Sequence, residues 1–166
     1  MSFGATEFDT TCEEPSPCGG SLIVTIGNEL RSDDGIGHVV GRLIADALPE
    51  DCTLMPTHQL LPDLAADIAR YDRVIFVDAR LPDDDPEVHV YTIEPASEDT
   101  PLGHAVSPAH LIAMTHALYD HAPLAVVMSL PTASFDYGFE LSPIARRGAH
   151  RAAELLLRMI SKEYGG

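Results

Sequence analysis

Apolar and polar positions alternate along this chain in two different rhythms. Ser21-Leu22-Ile23-Val24-Thr25-Ile26 is a continuous, largely β-branched run closed by Gly27-Asn28. Such a run predicts a strand covered on both faces. Val74-Ile75-Phe76-Val77, ending at Asp78, and Leu124 to Met128 repeat that pattern. Between them the period changes. Ile36, Val39, Val40, Leu43, Ile44 and Leu48 recur at steps of three and four, which predicts a helix with one apolar face that stops before Pro49.

Weaker signals fill the rest. Cys52 to His58 reads as a short strand and Val88 to Ile93 as an edge strand, because its alternation is loose. Pro62 opens a helix through Leu64, Ala65, Ile68 and Ala69. Ser107-Pro108 and Ser142-Pro143 each place a capping hydroxyl before a proline suited to the first helical turn. The helices they open are expected to bury Leu111, Ile112, Met114, Ala117 and Leu118, and Ala152, Leu155, Leu156 and Met159. Leu130 to Leu141 has turn and aromatic residues but no period. Residues 1–20 have neither period nor apolar face and read as a flexible acidic leader before a single domain, 21–166. Strands alternating with amphipathic helices predict an α/β three-layer sandwich on a mostly parallel sheet. In such sheets ligands bind beyond the carboxyl ends of the strands, so chemistry is expected after Ile26, Val77 and Met128.

Composition narrows the partners. The chain has 26 Asp and Glu against 10 Lys and Arg, a formal net charge of −16, and its one lysine is Lys162. Nucleic acid and anionic lipid are polyanions that need clustered cations, so neither is an expected partner. No apolar stretch reaches the ~18 residues of a membrane span. The N-terminus lacks the basic start and apolar run of a signal peptide, so a cytoplasmic protein is expected. Cys12, Cys18 and Cys52 have no CxxC spacing, which indicates neither a disulfide framework nor a thiolate zinc site.

The turn after the first strand reads Gly27-Asn28-Glu29-Leu30-Arg31-Ser32-Asp33-Asp34-Gly35-Ile36-Gly37. It lacks GxGxxG and GK[ST], and two adjacent carboxylates oppose a phosphate. Capping of the next helix by Ser32, Asp33 or Asp34 and a cation site both fit this pattern. As a cap, Asp33 would be worth on the order of 1 kcal/mol. Asp78 closes a buried strand at the crevice edge, as a ligand, a catalytic group or a loop cap. Of the eight histidines, His104 just precedes the Ser107 cap and His110 falls in the first turn of its helix. A helix N-terminus keeps imidazole neutral, the metal-binding form. His116 falls on another helical face, and the other five read as surface or hydrogen-bonded core residues. Two carboxylates and an imidazole from three segments describe a site for a divalent cation. No GxSxG is present, and no cysteine lies in the crevice segments.

With these motifs in view, the chain resembles the endopeptidases that mature the large subunit of nickel–iron hydrogenases. The resemblance spans about Leu22 to Met159. Its most specific part is Gly27-Asn28-x-Leu30-x-x-Asp33-Asp34-Gly35-x-Gly37, close to the family's GNxLxxD[DE]GxG; Val77-Asp78-Ala79 and His104 to Leu111 follow in order. It implies a five-stranded sheet between helices, and an enzyme that removes a C-terminal extension from the large-subunit precursor after nickel insertion. It further implies that Asp34, Asp78 and a histidine contact the metal, with Asp33 a turn or cap residue. His104 matches one family arrangement directly, and His110 is displaced by one residue from the other. His104 is therefore the expected ligand, and His110 a further candidate or a substrate contact. Nickel is expected to arrive with the precursor, although another divalent metal would suit the donors. Where the family often has Pro-Gly-Thr after the strand-end aspartate, this chain has Asp83-Asp84-Asp85.

Three rivals remain at this level. One is a non-catalytic nickel-binding or chaperone-like module with the same ligands. Another is a peptidase of the same fold acting on a different protein. The third is a flavodoxin-like small-ligand domain, which the acidic first turn opposes.

Overall fold

The three continuous apolar runs form the centre of a five-stranded sheet in a computed structural model that describes residues 19–97 and 105–161. The strands are β1 (Ser21–Ile26), β2 (Cys52–Thr57), β3 (Arg73–Ala79), β4 (His89–Ile93) and β5 (Leu124–Leu130), in the order β2-β1-β3-β5-β4. All neighbours run parallel except β4, which lies antiparallel to β5 at one edge. β1 is buried throughout, and β3 and β5 nearly so, whereas β4 is almost wholly exposed. That difference explains the sequence signals: strands covered on both faces read as continuous apolar runs, and edge strands do not.

Helices cover both faces. On one, α1 (Ile36–Ile44) and α4 (Pro143–Ile160) pack on Ile23, Ile75, Val77, Val126 and Met128. On the other, α2 (Leu64–Ile68) and α3 (Pro108–Tyr119) pack on Leu22, Val24, Val74, Phe76 and Val127. Successive strand residues feed opposite layers, as the period of two requires. The expected three-layer α/β sandwich with a five-stranded, mostly parallel sheet is the observed fold.

Both Ser-Pro signals mark helix starts. The Ser107 Oγ accepts from the His110 N–H, and the Ser142 Oγ from the Ala145 N–H. The inner faces need correction. In α3 only Leu111, Ile112 and Thr115 are buried, while Ala117 and Leu118 are exposed. The helix leaves the sheet after its second turn, so its later apolar residues have nothing to pack on. Leu43 of α1 is likewise exposed, because Gly37 and Gly41 line the contact face instead. The expected leader, 1–20, lies outside the described residues except for Gly19 and Gly20. Gly20 already belongs to the sheet end, since its carbonyl accepts from the Arg73 N–H at 3.2 Å. Among the described residues no helix is long and apolar enough to cross a membrane.

One glycine fixes how closely α1 meets the sheet. A Cβ on Gly37 would lie 2.7 Å from the Ile26 carbonyl oxygen and 2.8 Å from that of Val77. The start of α1 therefore rests on the carboxyl ends of β1 and β3 at once. Gly37→Ala is expected to push α1 outward and to lower stability by about 1–3 kcal/mol, despite alanine's better helix propensity. A urea denaturation midpoint no lower than wild type would refute this packing argument.

Candidate active site

The chain between β1 and α1 carries two adjacent aspartates that do different work. Ser32–Gly35 forms a single 3-10 turn. Gly27, at φ +151°, lets the strand end pass the turn, because a Cβ there would sit 2.0 Å from the Asp34 carbonyl oxygen. The His38 ring reinforces the bend: Nε2 lies 2.9 Å from the Gly27 carbonyl oxygen and Nδ1 3.2 Å from Thr25 Oγ1. A carbonyl only accepts, so Nε2 carries the proton and the threonine hydroxyl donates to Nδ1.

Asp33 is fully buried. Its Oδ2 accepts from the Ala133 N–H at 2.7 Å, the Ser134 N–H at 3.3 Å and the Ser142 hydroxyl at 2.6 Å. Its Oδ1 accepts from the Ser142 N–H at 2.7 Å. The expected capping role is thus corrected. Neither the 3-10 turn nor α1 has a side-chain cap, and Asp33 instead ties the first turn to the segment 131–142 and to the start of α4. Four converging donors make this a charge-assisted network in a water-poor site. Sequence reasoning missed it, because the partners lie about a hundred residues away and leave no local signal.

Asp34 is half-buried, in a turn that packs against β3. Asp78, at the end of β3, registers with Ser129 of β5. Burial pushes the Asp78 carboxyl up to about 6. A hydrogen bond from the Ala79 backbone opposes that shift, and the negative charge of Asp34 adds to it. The two carboxylates are therefore electrostatic neighbours at the carboxyl ends of the parallel strands. Arg80, two residues on, is committed elsewhere: Nε donates to Asp83 at 2.8 Å and a terminal nitrogen to the Asp85 carbonyl at 2.7 Å. The Arg80 guanidinium holds Asp83 below the usual carboxylate range. The acidic loop after Asp78 is thus organised around its own cation, and among the described residues no ion pair involves Asp34 or Asp78.

The two candidate histidines differ in placement. His110 lies at the start of α3 with Nδ1 2.6 Å from the Ser107 Oγ. That hydroxyl also accepts from the His110 backbone N–H at 3.3 Å, so side chain and backbone of His110 meet at the Ser107 cap. His104 lies outside the described residues. Among the described residues no group of three His, Cys, Asp or Glu side chains is placed to hold a metal ion. The donor set here is thus two carboxylates, which suits a divalent cation that brings its other ligands with it. A separate concavity of about 310 Å³ lies on the β2 side, between His38, Arg42, Leu54 and Pro56. It includes neither Asp34 nor Asp78, and no titratable pair in it matches theirs.

No protein-family model and no curated protein matches the chain. Solved structures do. The nickel–iron hydrogenase maturation protease HybD from Thermococcus kodakarensis superposes with a TM-score of 0.66 at 23% identity, covering 86% of this chain and 99% of its own. The hydrogenase maturating endopeptidase HybD from E. coli gives 0.68 at 19%, with 87% and 94% covered. A hydrogenase 2 maturation peptidase from a Thaumarchaeota archaeon gives 0.62 at 22%, with 86% and 98% covered. The fold of this chain is the fold of those proteins.

Two substitutions separate the neighbouring roles. Asp33→Asn leaves at least one buried N–H facing an amide donor, so a loss of about 2–3 kcal/mol is expected, more than a cap would cost. Asp78→Asn should do the opposite. An aspartate with a folded pKa near 6 and an unfolded one near 3.8 imposes no penalty below pH 3.8. The penalty grows as pH rises through that interval and is constant above it. In chelator-treated buffer Asp78→Asn is expected to be more stable than wild type by on the order of 2–3 kcal/mol at pH 7, with no gain at pH 3.5. Equal stability of the two proteins at pH 7 would contradict the buried placement of Asp78.

Proposed function

We propose that this chain is an endopeptidase that removes the C-terminal extension of a nickel–iron hydrogenase large-subunit precursor carrying nickel. The observation that carries the proposal is the Asp34–Asp78 pair, two neighbouring carboxylates with no ion pair among the described residues, at the ligand crevice of a fold shared with maturation proteases. Fold alone does not specify chemistry. The pair adds it, because repulsion between these carboxylates is relieved by a dication and not by an anionic or neutral ligand. In this reading the protein acts in the cytoplasm, on a single protein substrate.

The chain's own residues perform three tasks. Asp34 and Asp78 receive the precursor's nickel, with His104 the expected imidazole donor and His110 the alternative. The Asp33 network holds Asp34 in place from behind, so the turn need not reorganise when substrate binds. The crevice beyond β1, β3 and β5 receives the extended peptide beside the metal. Held by Asp34, Asp78 and a histidine, nickel would supply Lewis-acid polarisation of the scissile carbonyl or of an adjacent water, in place of a side-chain nucleophile. Hydrolysis adds the water oxygen to the carbonyl carbon and a proton to the departing amine. A nickel-free precursor brings nothing to the carboxylates, so the metal itself acts as the checkpoint.

The test is incubation of the protein with nickel-loaded and nickel-free precursor, followed by mass spectrometry. A mass loss equal to the extension is expected only with nickel. Binding of nickel-loaded precursor without any loss would instead indicate a non-catalytic nickel-binding module. Asp34→Asn and Asp78→Asn should each reduce processing at least ~100-fold. Because Asp78 must be ionised to act as a ligand, the rate should fall about tenfold per pH unit below pH 6. A rate independent of pH between 5 and 7 would rule Asp78 out.

A further inference from the structure

The two edges of the sheet are finished differently. At the β2 edge, the Ser21 N–H donates to the Asp51 carbonyl and the Gly27 N–H to that of Thr57. The odd-numbered residues of β2 therefore turn their backbone groups toward β1, and Cys52, Leu54 and Pro56 turn theirs outward. The Cys52 N–H is already bonded to the Pro49 carbonyl, and Pro56 has no N–H. Leu54 is left as the single outward donor. Proline on an edge strand guards it against a further strand.

The β4 edge has no such guard. The Leu124 N–H donates to the Asp72 carbonyl, and the Leu130 carbonyl accepts from the Arg80 N–H, so the even-numbered residues of β5 are spent on β3. The odd-numbered ones bond β4 through the pairs Ala125–Ile93, Val127–Tyr91 and Ser129–His89. Val90 and Thr92 therefore point their N–H and C=O groups outward, two donors and two acceptors. β4 contains no Pro, Lys or Arg, and its Val90 and Tyr91 side chains are exposed. Beyond it the Ala96 N–H donates to the Ala109 carbonyl, which carries the chain onto α3 rather than back along β4. Among the described residues no strand pairs with that side.

An open row of backbone donors and acceptors at strand spacing is satisfied by one kind of partner, an extended polypeptide. Position selects which. Asp78 registers with Ser129 and Ser129 with His89, so β4 begins at the crevice end of the sheet. A strand added outside β4 would lie three strand spacings, about 14 Å, from Asp78. Roughly four extended residues span that distance. We infer that the outer edge of β4, through Val90 and Thr92, takes up the precursor's C-terminal extension as an added strand, beyond the bond to be cut. The inference rests on the proposed function for the identity of that peptide. Entering from the crevice, the extension runs parallel to β4. Main-chain bonds hold it, and the Val90 and Tyr91 side chains give apolar contact on the two faces. Pairing fixes the direction in which the chain crosses Asp34 and Asp78, so the extension's own backbone helps to place the scissile bond.

The experiment follows amide hydrogen exchange by NMR in the full chain, alone and with a saturating synthetic peptide of the extension's sequence. In the free protein the Tyr91 and Ile93 amides should be protected by β5, while those of Val90 and Thr92 exchange fast. The peptide should slow exchange at Val90 and Thr92 at least about tenfold and leave Tyr91 and Ile93 unchanged. N-methylation of the peptide at alternate residues should raise Kd at least about tenfold, and at the intervening residues by no more than about twofold. That comparison leaves the protein unaltered, so no variant has to fold. Cleavage of nickel-loaded precursor with Val90 and Thr92 unprotected by the peptide overturns the edge and leaves the proposed protease standing. Protection that is present without peptide and grows with protein concentration overturns it in favour of a second copy of the chain. Protection by the peptide without cleavage of precursor supports the edge and counts against the protease. Neither protection nor cleavage removes both.

Discussion

A single buried carboxylate connects the parts of the molecule that must act together. Asp33 accepts four hydrogen bonds, from Ala133, Ser134 and twice from Ser142. It thereby binds the turn after β1 to the segment after β5 and to the first turn of α4. Burying a charge is costly unless it is this fully satisfied, and a fully satisfied network fixes geometry more strictly than apolar contact does. Ser142 takes part twice, since its hydroxyl donates to Asp33 and accepts from the Ala145 N–H. The helix cap and the interior clamp are one arrangement. Removing Asp33 would release the crevice wall and the aromatic segment together.

The adjacent residue faces a different environment. Asp34 sits at the crevice, near an Asp78 carboxyl that burial and repulsion raise to about 6. The fold tolerates that cost because α1, seated through Gly37 on the ends of β1 and β3, brings the acidic turn against β3. A site that destabilises its own protein is understandable where a ligand relieves the strain. A cation would do so, and the cations nearest in sequence are otherwise engaged. Arg80 is bound within its own loop, and Arg31 lies over the Phe135 ring at 5.9 Å. Under the proposed function, a dication would relieve the same repulsion that helps raise the Asp78 carboxyl.

Much of this was legible in the sequence, for identifiable reasons. Ile23, Ile75 and Val126 lie in strands covered on both faces, so their continuous apolar runs gave the central sheet. Ser107-Pro108 and Ser142-Pro143 marked helix starts because capping is local chemistry. Asp78 and the turn after β1 could be singled out because strand ends in parallel sheets are where ligands bind, and the resemblance picked Asp34 within that turn. What escaped were relations between distant segments. Nothing near Asp33 signals that its partners lie at Ala133 and Ser142, so it read as a cap. Leu118 follows helical periodicity yet faces solvent, because periodicity cannot tell where a helix leaves its sheet. The aromatic segment after β5 had no period to read, since its order comes from bonds to the first turn.

The pairing of Asp34 and Asp78, neighbouring carboxylates with no ion pair among the described residues, is what the proposed cation would answer. Its most direct test is a pH titration of the Asp78 side-chain carboxyl carbon by NMR in metal-free wild type and in Asp34→Asn. A midpoint of about 6 is expected in wild type. In the variant it should be lower but still above the ordinary aspartate range, since burial remains when the neighbouring charge is gone. A wild-type midpoint near 3.8, or one unchanged by removing the Asp34 charge, would contradict it.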